Sequence, residues 1–317
     1  MKVAVLMGGA AATRERSLRS GKNVCKALAA SGHTVLPLDT TVNLTTILCN
    51  EHPDIVFNAL YGYEAECGAV QELLEFLDIP FVGASSSVCR DACNRGALPS
   101  VLEGYQGALG GSMTAAWPHG IVLSRMAVQD MGAYSALNLV ADRIPGGYPL
   151  CVKSVHGMPG FAAYRVEDHD ELAGALIQVL AVDDSVVIQQ WVEGINLSAF
   201  VLGSGYEALV LPPVEIDQQD GELYTPVRLE SLAQDQENAQ AIRSEIERAA
   251  MEAYLAFGIR DIGRVDLIWD GAQARILRVR TVVDYSADSP FHQALAAASL
   301  TFEGVANALV GGLSPEE

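Results

Sequence analysis

Asp261 to Tyr285, DIGRVDLIWDGAQARILRVRTVVDY, is the stretch on which the reading of this chain turns. Val265, Leu267, Ile268 and Trp269 form one apolar run, Asp270-Gly271 supplies a turn, and Ala274, Ile276, Leu277 and Val279 form a second run. Two such runs about an Asp-Gly turn predict a β-hairpin. Asp266 lies on the first strand. Arg278 and Arg280, two residues apart on the second, share a face and come close to that carboxylate. Whether this cluster holds a metal, or has arginine in its place, decides the chemistry.

Working outward, 317 residues suffice for two or three packed lobes. A hydrophobic content of 50% with mean hydropathy +0.21 describes a globular, soluble chain. The net charge of -19 and pI near 4.6 oppose binding to nucleic acid or anionic membrane, because the mean field repels phosphate. No apolar run approaches the roughly 18 residues of a membrane span, and MKVAVLMGGA is too short in its apolar part for a signal peptide. Six cysteines without a CxxC pair read as reduced thiols of a cytoplasmic protein, not as a zinc site.

Three lobes are expected. In the first, residues 1–86, strands at 2–7, 33–38, 55–60 and 80–82 alternate with helices at 17–30 and 69–77, the pattern of a doubly wound α/β unit. Its ligand edge falls at Gly8-Gly9 and Tyr61-Gly62. The glycine pair lacks GxGxxG and GxxxxGK[ST], so it is a weak nucleotide signal. Beyond it, Ser17 reads as a helix cap and Glu15 as a solvated first-turn acid, or both serve that edge. The second lobe, 87–180, has a glycine-rich, mobile connection at 107–120, strands at 120–123 and 149–152, and a helix at 168–180. Lys153, the last lysine of the chain, precedes a glycine-broken loop at 156–161 and a return strand at 163–166; that arrangement reads as a phosphate-covering hairpin or as a solvated lysine. The third lobe, 181–317, opens with a strand at 186–188. Strands follow at 197–202 and 209–214, then a polar loop at 217–234, a long helix at 237–257, the hairpin, and a last helix at 290–309.

Several short segments carry a resemblance to a known family: Gly8-Gly9 with 13–18 (TRERSL), 59–62 (ALYG) with Glu66-Cys67-Gly68 and Gln71, 80–83 (PFVG), Val152-Lys153, 188–194 (IQQWVEG) and 263–266 (GRVD). In this order and spacing the chain resembles D-alanine–D-alanine ligases of the ATP-grasp superfamily over nearly its whole length. The resemblance implies an α/β ATP-grasp fold of three lobes and a cytoplasmic homodimer acting on small molecules. It implies ATP-dependent joining of two D-alanines for cell-wall precursors, with two magnesium ions on the transferring phosphoryl group. Residue by residue, Glu15 matches the acid that fixes the first substrate's ammonium and Ser17 its hydroxyl neighbour. Lys153 matches a phosphate-binding lysine, Arg264 the arginine facing the acylphosphate, and Gln189, Gln190, Trp191 and Val192 the linker whose backbone reads adenine. Ser289 falls in the substrate pocket.

Departures from the family pattern cluster at the chemistry. Of three metal ligands only Asp266 remains, because Arg278 stands for the glutamate and Arg280 for the asparagine; a guanidinium has no lone pair for magnesium. Arg95 stands for a second phosphate-binding lysine, Tyr61 for a histidine, Asn196 for the ribose-binding glutamate, and Asp284 for a glycine beside the second substrate's carboxylate, where it would repel that group. Residues 157–161 lack the serines of the phosphate-covering loop, and 217–234 is short and lacks its lysine. The resulting expectation is a pseudoenzyme with a binding or regulatory role. The alternative is an active carboxylate–amine ligase in which Arg278 and Arg280 take over from the metals.

Overall fold

A computed structural model describes residues 1–9, 13–40, 43–108, 115–157, 163–216, 224–226 and 236–311. In chain order the first elements are β1 (Lys2–Met7), α1 (Arg14–Ala30), β2 (Thr34–Asp39), α2 (Leu44–Glu51), β3 (Ile55–Asn58), α3 (Tyr63–Glu66), α4 (Ala69–Phe76) and β4 (Phe81–Val82). The strands make a four-stranded parallel sheet ordered β2-β1-β3-β4. β1 is buried on both faces, which explains its unbroken apolar run. The sheet's carboxyl edge brings Gly8-Gly9 and Tyr61-Gly62 to one place, where Thr13 Oγ1 donates to the Tyr61 carbonyl at 2.8 Å.

Next come α5 (Ser86–Cys93), α6 (Leu98–Ala108), β5 (Gly120–Ser124), α7 (Arg125–Met131), α8 (Ala133–Arg143), β6 (Leu150–Ser154), β7 (Tyr164–Val166), α9 (His169–Val182) and β8 (Ser185–Gln190). The second sheet is ordered β5-β8-β6-β7 and is antiparallel. β8 is thus the second strand of this sheet, whereas the sequence reading makes it the start of the third lobe at 181. The change of sheet falls between Gln190 and Ile195, because β8 finds its ladder partners in β5 and β6. α5, α6, α7 and α8 occupy ground that the sequence reading leaves unassigned. Of the connection expected to be mobile, 107–108 close α6, and 109–114 lie outside the described residues.

The remaining elements are β9 (Ile195–Leu202), β10 (Leu209–Val210), β11 (Val214–Ile216), β12 (Tyr224–Pro226), α10 (Gln236–Ala256), β13 (Ile262–Trp269), β14 (Ala274–Arg280), α11 (Pro290–Ala297) and α12 (Phe302–Gly311). β12-β11-β9-β13-β14 form the third sheet, with β10 added to β9. α10 covers one face: Ala249, Ala250, Ala253 and Tyr254 pack on Val265, Leu267, Ile276 and Val279. A loop is expected over 217–234; within it 224–226 is strand, and 217–223 and 227–235 lie outside the described residues. The single closing helix is in fact two, bent by 99°. Phe291, Phe302 and Leu309 return to the first lobe and share a core with Val3, Val5 and Val24. No single helix among the described residues is long and apolar enough to cross a membrane.

β13 and β14 pair as expected, but with a register shift between Asp266 and Leu267. Leu267 faces Ile276, while Asp266 faces Arg278 and Arg264 faces Arg280. Leu277 is therefore the extra residue of a β-bulge. Strict alternation from Ile276 would aim Arg278 into the α10 core. The bulge turns it, with Arg280, to the opposite face.

Candidate functional site

That opposite face forms one wall of a cavity of about 560 Å³. Arg264, Asp266, Arg278 and Arg280 of the hairpin line it together with Lys153 and Arg95 from the second lobe. The linker after β8 closes one end: Gln189, Gln190, Trp191, Val192 and Asn196 all line the cavity, beside apolar Leu267, Ile268 and Leu277. The second and third sheets and their connections thus bring together residues that are far apart in sequence.

Asp266 is held on both carboxylate oxygens. Oδ1 accepts from Arg264 Nε at 2.6 Å and from Ser198 Oγ at 2.6 Å, and Oδ2 accepts from Arg280 Nε at 3.0 Å. Burial by itself would raise its pKa, but the charges of Arg264 and Arg280 and the Ser198 hydroxyl hold it well below the usual carboxylate range.

The sequence reading assigns no role to Glu66, yet it completes the cluster. Its carboxylate, on α3 of the first lobe and 4% exposed, accepts from Arg278 Nη2 at 2.5 Å and from Arg280 Nη1 at 3.2 Å. Burial opposes its charge, while Arg278 and Arg280, helped by Arg95 and Arg264, keep its pKa low. Gly68 fixes the position of α3: it has φ +88°, and a Cβ there would stand 2.5 Å from the Ser86 carbonyl. The only sequence signal for Glu66 is the quoted Glu66-Cys67-Gly68 match, since its partners lie 212 and 214 residues away.

Arg280 touches both carboxylates, and their charges raise its pKa above the ordinary arginine value despite burial. Arg278 is less well compensated. Burial and the like charge of Arg280 lower its pKa, and its Nε is buried without a partner. Arg95 shares that condition: its Nε is also buried and unpartnered, and among the described residues Nη1 reaches only the Ser154 carbonyl, at 3.4 Å. Its guanidinium lies against Gly157, where a Cβ would come within 2.6 Å of Nη2. Burial, then Arg278 and Arg280, bring Arg95 down to about 10. Lys153, 8% exposed and making no side-chain hydrogen bond among the described residues, is pushed down to about 8 by burial, with Arg95 and Arg278 adding to the effect.

The magnesium ions that the resemblance implies do not fit this donor set. Both Asp266 oxygens are engaged by cations, the two neighbouring positions are guanidiniums, and among the described residues no three His, Cys, Asp or Glu side chains form a metal-holding group. A cation here would displace two arginines from their carboxylates and then face their charge.

Other expected residues are placed differently from the sequence reading. Glu15 is exposed on the first turn of α1 and joins none of these contacts. Thr13 is the N-cap of α1, whereas Ser17 is fully buried with its hydroxyl unpartnered, so Ser17 is not the cap. Asp284 is neutralised and does not stand as a bare repelling charge: Oδ2 is 2.8 Å from Arg16 Nε, and Oδ1 accepts from the Ser286 N–H and hydroxyl. The Arg16 guanidinium also lies 4.9 Å from the Tyr61 ring centre. Ser289 caps α11, its Oγ accepting from the His292 N–H. The Trp191 N–H is taken by the Pro149 carbonyl at 3.2 Å. Residues 158–162 of the phosphate-covering loop lie outside the described residues.

The family model for the D-Ala–D-Ala ligase C-terminus matches residues 134–311, more than half of the chain. The chain belongs to the D-alanine–D-alanine ligase family. A D-alanine–D-alanine ligase of Desulforudis audaxviator is 32% identical over 316 residues, 98% of this chain and 97% of that one. The ligase of Carboxydothermus hydrogenoformans is 30% identical over 96% of this chain and 95% of its own. Among solved structures, the Bacillus anthracis ligase complexed with ATP superposes with TM-score 0.76 at 22% identity, covering 98% and 96% of the two chains. The VanG D-Ala:D-Ser ligase of Enterococcus faecalis gives 0.78 at 20%, covering 98% of each. The fold is therefore ATP-grasp, with three α/β lobes around the cavity.

Proposed function

We propose that this protein is a family member in which metal-assisted ligase chemistry has been lost and the nucleotide cavity has been kept, so that it works as a binding or regulatory protein. The observation that carries the reading is the double clasp of Arg278 and Arg280 on Asp266 and Glu66. Phosphoryl transfer needs charge stabilisation on the transferring group. Here Asp266 of the hairpin and Glu66 of the first lobe already engage two of the cations that would supply it. The Arg16–Asp284 pair at the expected amino-acid pocket points the same way. ATP is the nucleotide we propose, because a related solved structure is an ATP complex and the linker residues 189–192 line the same cavity. A cytoplasmic homodimer is part of the proposal. The test is ADP release with D-alanine and magnesium present. No release above background is expected; turnover at about 1 per second or faster, an ordinary enzymatic rate, refutes the reading.

The second reading, a working carboxylate–amine ligase, is favoured by one observation: Lys153 and Arg264 line the cavity beside the arginine pair. In that case the arginines hold phosphate oxygens directly. It requires turnover that survives a chelator, which the same assay measures.

A further inference from the structure

The misfit of magnesium bears on the form of the ligand, granted the reading above that the cavity binds ATP. Lys153 and Arg95 line the cavity from the second lobe, and neither is in a salt bridge among the described residues. Lys153 is 8% exposed and makes no side-chain hydrogen bond there, and Arg95 Nε is buried without a partner. Arg264, Arg278 and Arg280 line the same cavity from the hairpin. The charges of Arg95 and Arg278 both act on Lys153, and that of Arg278 acts on Arg95, so these three cations are near neighbours.

Two carboxylates line the cavity among the described residues, and both are taken. Asp266 Oδ1 accepts from Arg264 and Ser198, and its Oδ2 accepts from Arg280. Glu193 Oε1 accepts from Arg165 Nη1 at 2.5 Å and from Trp191 Nε1 at 3.0 Å. A magnesium ion on a nucleotide is ordinarily held by one or two protein carboxylates together with the phosphate oxygens. In this cavity it would meet no free carboxylate and would stand among like charges. It would also take phosphate oxygens that guanidinium and ammonium groups bind. A metal-free triphosphate has the opposite balance. It carries roughly four negative charges, of which one magnesium ion cancels about two. Its oxygens give Lys153 the acceptor it lacks and bring Arg95 a counter-charge. We infer that the cavity takes its nucleotide in the metal-free form, with Lys153 and Arg95 as the cations that the phosphates neutralise, and that magnesium antagonises binding.

The experiment is calorimetric titration of the full chain with ATP, once in EDTA and once with magnesium in excess over nucleotide at matched ionic strength. Adenosine is the phosphate-free control. ATP is expected to bind at least about tenfold more tightly in EDTA than with magnesium, the effect of the two cancelled charges, and any adenosine binding should be the same in both. Arg95→Gln and Lys153→Met each remove a cation without orphaning a carboxylate. Each should weaken binding in EDTA more than binding with magnesium, and so narrow the ratio between the two conditions. ATP binding as tight or tighter with magnesium, a ratio unmoved by both substitutions, or an equal magnesium effect on adenosine overturns the inference. Nucleotide binding in the cavity still stands after any of those results. Absence of ATP binding in both conditions overturns the functional reading and the inference with it.

Discussion

Replacing Glu66 by glutamine removes the carboxylate that joins the first lobe to the hairpin while keeping its shape. Glu66 is 4% exposed and engages Arg278 and Arg280, so the substitution strands buried positive charge. Breaking one partner of a buried ion pair costs about 3 to 5 kcal/mol. Arg280 keeps Asp266, whereas Arg278 keeps no carboxylate and already has an unpartnered Nε. The cost therefore falls mainly on Arg278 and belongs at the low end, about 3 kcal/mol. For a chain of this size, at about 2.1 cal/mol/K of unfolding entropy per residue, that is roughly 4 to 5 °C in Tm. Thermal melts followed by circular dichroism at pH 7 measure it. The double variant Glu66→Gln with Arg278→Met, which removes both charges, should melt higher than Glu66→Gln alone, because no orphan cation remains. A loss below about 1 kcal/mol for the single variant, or strictly additive losses in the double, would show that the clasp is not a structural tie.

Acid should act on the same cluster. The depressed carboxylates Glu66 and Asp266 contribute stability that is fully present above their unfolded value of about 4 and is lost as pH falls through the folded values. Wild-type Tm should therefore drop below about pH 4 more steeply than that of Glu66→Gln. Lys153 titrates in the opposite window. With its folded pKa at about 8, below the ordinary lysine value, the unfolded chain binds more protons above that pH, so the ligand-free protein gains stability as pH rises from 8 while nucleotide affinity falls. Lys153→Met should flatten both profiles, as melts and titrations at pH 7 and pH 9 would reveal. Returning the two family ligands with Arg278→Glu and Arg280→Asn should create a magnesium-dependent rise in Tm that the wild-type protein lacks; no rise in the double variant would mean the arginines are not what excludes the ion. Asp284→Asn should lower Tm by removing the buried charge that pairs with Arg16, again read by melting.

Much of the architecture was legible. Apolar runs at 2–7 and 55–60 marked strands, found at Lys2–Met7 and Ile55–Asn58, because both of their faces are buried. The hairpin was legible from Asp270-Gly271, where the Asp270 carboxylate accepts from the Ala272 and Gln273 N–H groups. The placement of β8 was not, because a buried strand reads the same in either sheet and only its partners β5 and β6 decide. Glu15 was legible as a first-turn acid, and it is exposed there, while the pairing of its neighbour Arg16 with Asp284 came from the packing of distant segments.

The sequence by itself determined the family, the hairpin and the two arginines on its second strand, because residue types and their spacing are local facts. Tertiary structure decided what those arginines do. A single extra residue, Leu277, turns Arg278 from the α10 core to the cavity, since side chains alternate with period two and one inserted residue inverts the face. Their second counter-charge, Glu66, comes from another lobe more than two hundred residues away. Only the packing of that lobe against the hairpin makes it an ion pair.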